Sequence, residues 1–214
     1  MKLFQILYIE CSPRRDSASS SRMGAQLLAA LQARAGCATR VIRRNLGSQP
    51  LPALSAAYAE SLLVPIDQAR ATYGSELAMS DELVEELVQA DLILIAAPVH
   101  NFGIPAVLKN WIDWVVRRDV TFKVTPQGKV GLVQDRPVVV AVTSGGAMFR
   151  EPPVQPDFFR PYLRAALGVV GITNIDFVES PCLAFSSAPL EDVDAAARSW
   201  IQQSLVAVAA SPAA

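Results

Sequence analysis

Short runs of β-branched residues and leucine alternate along the chain with longer stretches in which apolar residues recur every three or four positions. That is the pattern of βαβ units and a parallel sheet. Five strands are expected: residues 3–10 (LFQILYIE), 38–44 (ATRVIRR), 91–97 (DLILIAA), 137–144 (PVVVAVTS) and 174–180 (NIDFVES). Three of these are nearly continuous apolar runs, as parallel strands covered on both faces require. Helices are expected over 20–35, 80–89, 105–117, 157–170 and 190–209. In the first, Met23, Leu27, Leu28 and Leu31 form an apolar stripe, and the serines at its start offer caps. In the second, SDELVEELV, Ser80 reads as the cap, with Asp81 and Glu82 in the positive first turn.

Residues 48–75, rich in Pro, Ala and Ser, read as a long connection with a short helix near 54–62. One segment breaks the alternation: DVTFKVTPQGKVGLV sets strand-like residues on either side of TPQG, as a β-hairpin over about 119–134 would, projecting beyond the sheet ahead of the fourth strand. The expected architecture is one doubly wound α/β domain over residues 1–214, a five-stranded parallel sheet with helices on both faces and a hairpin excursion. The alanine-rich end, 207–214, is expected to fray.

Composition narrows the class. Hydrophobic residues make up 51% and charged ones 18%, which argues against disorder, and the mean hydropathy of +0.29 calls for strands covered on both faces or a buried subunit interface. A net charge of −1, with the 19 basic residues scattered, lacks the footprint of a nucleic-acid binder and suits a small neutral or organic ligand. Cys11, Cys37 and Cys182 are an odd number at wide spacings without C-x-x-C, so neither a disulfide framework nor a metal site is expected. Reduced thiols in a cytoplasm follow. The opening MKLFQILYIE runs straight into charged PRRD and reads as a strand rather than a signal, and no run approaches the roughly 18 apolar residues of a membrane helix.

In an open parallel sheet, ligands bind beyond the carboxyl ends of the strands. Three loops lie there. After strand one, CSPRRDSASSSRM has neither the dinucleotide fingerprint nor a Walker loop, but its hydroxyls and the following helix start could hold a phosphate monoester. The competing reading is that Ser19, Ser20 and Ser21 only cap that helix. A phosphatase of the C-x5-R type would need Arg six positions after Cys11; Ser17 stands there, so Cys11 reads as a strand-end residue. After strand three, PVHNFGIP keeps a turn-prone backbone and starts a helix at Pro105, whose stripe of Ile104, Val107, Leu108, Trp111, Ile112 and Val115 reads as core or a subunit contact. After strand four, TSGGAM lets a ligand approach the backbone at Gly145 and Gly146.

Together these residues resemble the FMN-dependent NADH azoreductases, members of the flavodoxin-like quinone reductases. The stretch IAAPVHNFGIPAVLKNWIDWVVRRDVTFKVTPQGKVGLV is similar to that family's APMYNF-x-IP-x-x-LK-x-x-D…GVTF-x-Y pattern. The likeness continues in VTSGGAM, in PYLRAALGVVGITNIDFV and in the opening strand with SPRRDSASSSR, so it covers most of the chain. It implies a flavodoxin-like fold and FMN as cofactor, with Ser12, Ser19, Ser20 and Ser21 on the phosphate. Pro98, Val99, His100, Asn101 and Phe102, with Thr143, Ser144, Gly145 and Gly146, would line the isoalloxazine.

It also implies two-electron, ping-pong hydride transfer from NADH or NADPH to quinones and azo compounds. A homodimer would have its sites at the interface and Phe122 beside the substrate pocket. Asn101 would fix one edge of the ring and the backbone at Gly145 and Gly146 another. Three departures stand out: His100 replaces the usual aromatic, the strand-four loop is one residue shorter at T-S-G-G, and the serine cluster is shifted by an insertion. His100 has two readings, an acid that protonates the acceptor or a ring that only packs. An electron carrier of flavodoxin type, with no small-molecule substrate of its own, is the alternative to an enzyme.

Overall fold

The computed structural model describes residues 3–180 and 183–203, so Cys182 and the end of the chain, including the expected helix beyond 203 and the frayed tail, lie outside the described residues. A five-stranded parallel sheet forms from β1 (Phe4–Glu10), β2 (Thr39–Asn45), β3 (Leu92–Pro98), β6 (Val138–Thr143) and β7 (Ile175–Glu179), in the order β2-β1-β3-β6-β7. A separate antiparallel pair, β4 (Phe122–Thr125) and β5 (Gly128–Gly131), is the hairpin. The chain steps outward from β1 to β2 and then crosses back to β3 on the other side of β1. The winding therefore reverses between β1 and β3, the place where such sheets open a crevice.

The apolar runs fold as they do because both faces of the sheet are covered. Leu7, Ile9, Ile93, Ile95, Val140 and Val142 enter one core, and Ile6, Tyr8, Leu92, Leu94, Val139 and Ala141 alternate into the other. The second core is roofed by α1 (Ser19–Arg34) and α6 (Pro189–Gln203). The first is roofed by α3 (Ile66–Gln89), α4 (Ala106–Val115) and α5 (Phe159–Val170), with α2 (Ala56–Ser61) beside α3. Among the described residues, no helix is long and apolar enough to cross a membrane.

Two expectations fail instructively. The helix expected at 80–89 begins at Ile66, with a kink where Tyr73 takes φ −121° and ψ 25°. Ser80 is therefore no cap; it is fully buried in mid-helix. Its hydroxyl donates to the Trp114 carbonyl at 2.6 Å and accepts from Arg117 Nη1 at 3.1 Å. Serines do not cap α1 either: its N-cap is Ala18, in extended backbone and without a side-chain hydrogen bond.

The hairpin forms at TPQG as expected but does not project freely. Leu132 N–H donates to the Thr121 carbonyl at 2.9 Å and Val133 N–H to that of Val170 at 3.0 Å, which ties the strand exit to the carboxyl end of α5. That is the edge at which β6 and β7 begin, opposite the ligand-binding edge.

Candidate active site

Three loops meet at the carboxyl edge of the sheet, because the strands that precede them are neighbours in register. Glu10 pairs with Ala96, the Cys11 N–H donates to the Ala96 carbonyl at 2.9 Å, and Pro98 pairs with Thr143. The first loop ends in α1. Ser12, Ser20 and Ser21 are buried at 4%, 1% and 5% exposure, and Ser19 is half-buried. Ser12 Oγ accepts from the Arg14 N–H at 3.3 Å, whereas Ser20 Oγ is buried without a protein partner. An uncapped helix start presents unpaired N–H groups and the positive end of the helix dipole, and the buried hydroxyl beside it is equally unpaired. Such a donor set fits an anion.

The same loop removes the phosphatase reading. Cys11 is completely buried, and burial, reinforced by the neighbouring Glu10 carboxylate, pushes its thiol far above the ordinary range. It stays protonated and enclosed, which leaves no nucleophilic thiolate.

In the second loop, the His100 N–H donates to the Gly103 carbonyl and the Gly103 N–H to the His100 carbonyl, both at 3.0 Å. Asn101 and Phe102 between them have φ of 48° and 69°. Two successive positive φ values inside a closed four-residue turn make it type I′, and a bulky Phe in that region is strained by about 1–3 kcal/mol. His100, Asn101 and Phe102 are all exposed, at the mouth of the site. The third loop is stiffened from within: the Gly146 N–H donates to Ser144 Oγ at 3.0 Å. From behind, Leu183 N–H donates to the Ser144 carbonyl at 3.0 Å and Ala184 N–H to that of Gly145 at 3.2 Å. Thr143 and Ser144 are buried, while Gly145 is exposed and Gly146 half-buried.

Beside the type I′ turn a cleft of about 650 Å³ opens between α4 and α5, a volume in the range of small-molecule sites. His100 and Asn101 line it with Ile104, Lys109, Phe158 and Tyr162. Of the thirteen residues expected to hold a cofactor, only His100 and Asn101 line this cleft; the serines and the TSGG loop do not. Lys109 donates to both carboxylate oxygens of Asp113 at 2.6 Å, and this bond raises its pKa. Burial raises the Tyr162 phenol against the opposing pull of the Lys109 ammonium.

Phe122 is not part of the cleft. It is 8% exposed, under the Lys129 ammonium at 5.1 Å, on the hairpin at the far edge. The 10 residues of α4, about 15 Å of helix, separate it from the turn. Phe158, Pro161 and Tyr162 were not foreseen as lining residues. The usable signal was topological: a helix that follows a strand starts at the ligand edge, so the first turns of α4 and α5 must face the site.

Comparison with known proteins bears on the same chemistry. A family model described as flavodoxin-like fold matches residues 5–204. The chain is 42% identical over 174 residues to FMN-dependent NADH:quinone oxidoreductase 2 of Cupriavidus pinatubonensis, covering 81% of this chain and 84% of that one. It is 37% identical over 207 residues to FMN-dependent NADH:quinone oxidoreductase 4 of Pseudomonas fluorescens, covering 97% and 95%. Among solved structures, an FMN-dependent NADH-azoreductase from Bacillus anthracis in complex with FMN superposes with a TM-score of 0.78 at 23% identity, covering 94% of this chain and 97% of that one.

Proposed function

This chain belongs to the flavodoxin-like family that holds the FMN-dependent NADH:quinone oxidoreductases, and on that premise we propose that it reduces quinones and azo compounds with NADH through bound FMN. The observation that carries this is the uncapped start of α1 with the Ser20 hydroxyl buried and unpartnered beside it. A terminal phosphate supplies the acceptor oxygens that this donor set lacks. When bound, FMN supplies the two-electron exchange between NADH and the acceptor.

The protein's work is binding, orientation and exclusion of water. Ser12, Ser19, Ser20 and Ser21 hold the phosphate. Pro98, Val99, Asn101 and Phe102 on one side, with Thr143, Ser144, Gly145 and Gly146 on the other, hold the ring. The closed turn presets the backbone that carries Asn101 to the ring edge, which lowers the ordering cost of binding. The cleft beside the turn takes the nicotinamide and then the acceptor, one after the other. Ile104 and Phe158 make it apolar. The same reading places the protein in the cytoplasm as a homodimer. Phe158, which lines the cleft, is 61% exposed, and Phe102 and Val154, on the turn and the segment tied to it, are 42% and 68% exposed, apolar surface that a second copy would cover. A Phe122 contact with substrate would then have to come from the partner's hairpin.

An enzyme and an electron carrier differ in one measurement. Mixed anaerobically with NADH, the yellow holoprotein is expected to bleach within the mixing time or shortly after, and to regain its colour on addition of a quinone. A flavin that stays oxidised in NADH would make the protein a carrier.

His100 is exposed and bonds to Gly103 only through its backbone. We assign its ring a packing role at the cleft mouth, the proton coming from water. His100→Phe is expected to retain FMN and to be reduced by NADH at close to the normal rate. If reoxidation by quinone slows about a hundredfold, the range of a lost general acid, the ring is the proton donor and the packing role is wrong.

A further inference from the structure

Residues 147–158 form no helix or strand, yet they are tied to the site at both ends. The Phe158 N–H donates to the Phe102 carbonyl at 3.0 Å, on the strained turn. Arg160 joins Asp157 to Glu179 and lies 5.1 Å over the Phe149 ring, closing the segment into a loop above the carboxyl ends of β6 and β7. Pro152, Pro153 and Pro156 each fix one backbone dihedral within it.

In the middle of this strap the carboxamide of half-buried Gln155 is pressed onto the backbone of Gly146. A methyl group on Gly146 would come within 1.9 Å of Gln155 Oε1, 2.8 Å of its Cδ and 3.1 Å of its Nε2. The carboxamide thus occupies the space beside the Gly146 Cα. The contact is not a hydrogen bond to the glycine, whose N–H is turned to Ser144 Oγ. Among the described residues the Gln155 carboxamide has no hydrogen-bond partner, although one donor and one acceptor are held side by side at the ring-binding loop. Gln155 does not line the apolar cleft.

We propose that Gln155 reads the pyrimidine edge of FMN: Oε1 accepts from the ring N3–H while Nε2 donates to the adjacent carbonyl. The proposal rests on the assignment of FMN above. A primary carboxamide is the complement of that imide edge, which presents carbonyl, N–H and carbonyl in sequence, just as Gln pairs with the matching donor and acceptor of a nucleobase. Gln155 is thus a positioning residue. It sets the depth and rotation of the ring between the strap and the type I′ turn, and it selects a flavin over a flat aromatic of the same shape.

The test titrates the apoprotein with FMN and with N3-methyl-FMN, following the quenching of flavin fluorescence. Wild type is expected to bind the methylated flavin about tenfold more weakly, the scale of one lost hydrogen bond. Gln155→Ala and Gln155→Leu are expected to bind FMN about tenfold more weakly than wild type and to treat the two flavins alike. The leucine variant keeps the bulk over Gly146, so it separates hydrogen bonding from packing. If wild type binds FMN and the penalty for methylation persists in both variants, Gln155 does not read that edge, though the cofactor assignment stands. If wild type takes up no FMN at all, the cofactor assignment falls, and the role of Gln155 with it.

Discussion

Gly47→Ala is expected to unfold at lower denaturant than wild type and to bind FMN at least about tenfold more weakly, although residue 47 carries no functional group. Gly47 follows β2 and packs directly on the first ligand loop. An alanine Cβ there would stand 2.1 Å from the Ser12 carbonyl oxygen, 2.3 Å from its carbon and 2.9 Å from the Pro13 nitrogen. These are backbone atoms between a buried strand and a tight turn, so no rotamer change can relieve the clash.

The Ser12 carbonyl also accepts from the Arg15 N–H at 3.3 Å, and the Gly47 N–H from the other side holds the Glu10 carbonyl at 3.2 Å. Displacing the 12–13 peptide therefore disturbs the turn that leads into α1, at a cost of about 1–3 kcal/mol for overpacking. Urea denaturation of the apoprotein and fluorescence titration with FMN measure the two effects separately. Lower stability with unchanged FMN affinity would show that Ser12 and its turn lie outside the phosphate cradle.

That contact illustrates what a sequence reader can and cannot see. The strands were legible almost to the residue, because a parallel strand buried on both faces leaves a continuous apolar run bounded by polar positions. The VVVAV of β6 and the LILIA of β3 admit few other readings. The first half of α3 was not legible: before the kink at Tyr73 only Ala69 is buried, so no apolar stripe marks the helix. Ser80 reads as the start in its place, since a serine followed by Asp81 and Glu82 mimics a cap. The hydroxyl is instead drawn inside by the Trp114 carbonyl and Arg117, residues more than thirty positions away.

The candidate site divides in the same manner. The three loops follow from topology and could be located from the strands alone. The cleft depends on Phe158 and Tyr162 coming across to the His100 turn, and the ring loop is met at Gly146 by Gln155. Both are tertiary contacts without a local signature. Phe122 differs: within its own chain it lies on the hairpin, away from the cleft, so the substrate contact that the resemblance implies falls to a second copy.

Ser20→Ala is expected to separate folding from function most sharply. Ser20 is 1% exposed and its Oγ has no protein partner, so the apoprotein carries a desolvated hydroxyl worth about 1–3 kcal/mol of lost stability. Removing it should leave the apoprotein as stable as wild type or up to about 1 kcal/mol more stable, the small void offsetting part of the gain. FMN binding should change in the opposite direction. A hydroxyl bonded to a phosphate contributes about 1.5–3 kcal/mol, so affinity should fall by about ten- to a hundredfold. It should not vanish, because the backbone N–H groups at the start of α1 remain.

Riboflavin, which lacks the phosphate, supplies the control: its affinity should be the same for wild type and Ser20→Ala. The opposite pattern, an apoprotein weakened by the substitution with FMN binding intact, would mean that the hydroxyl serves the fold. An equal loss for riboflavin and FMN would place Ser20 at the ring rather than at the phosphate. Stability and affinity are expected to part company only at a group held unpaired in the apoprotein, and among the expected phosphate-binding serines Ser20 is the one buried in that condition.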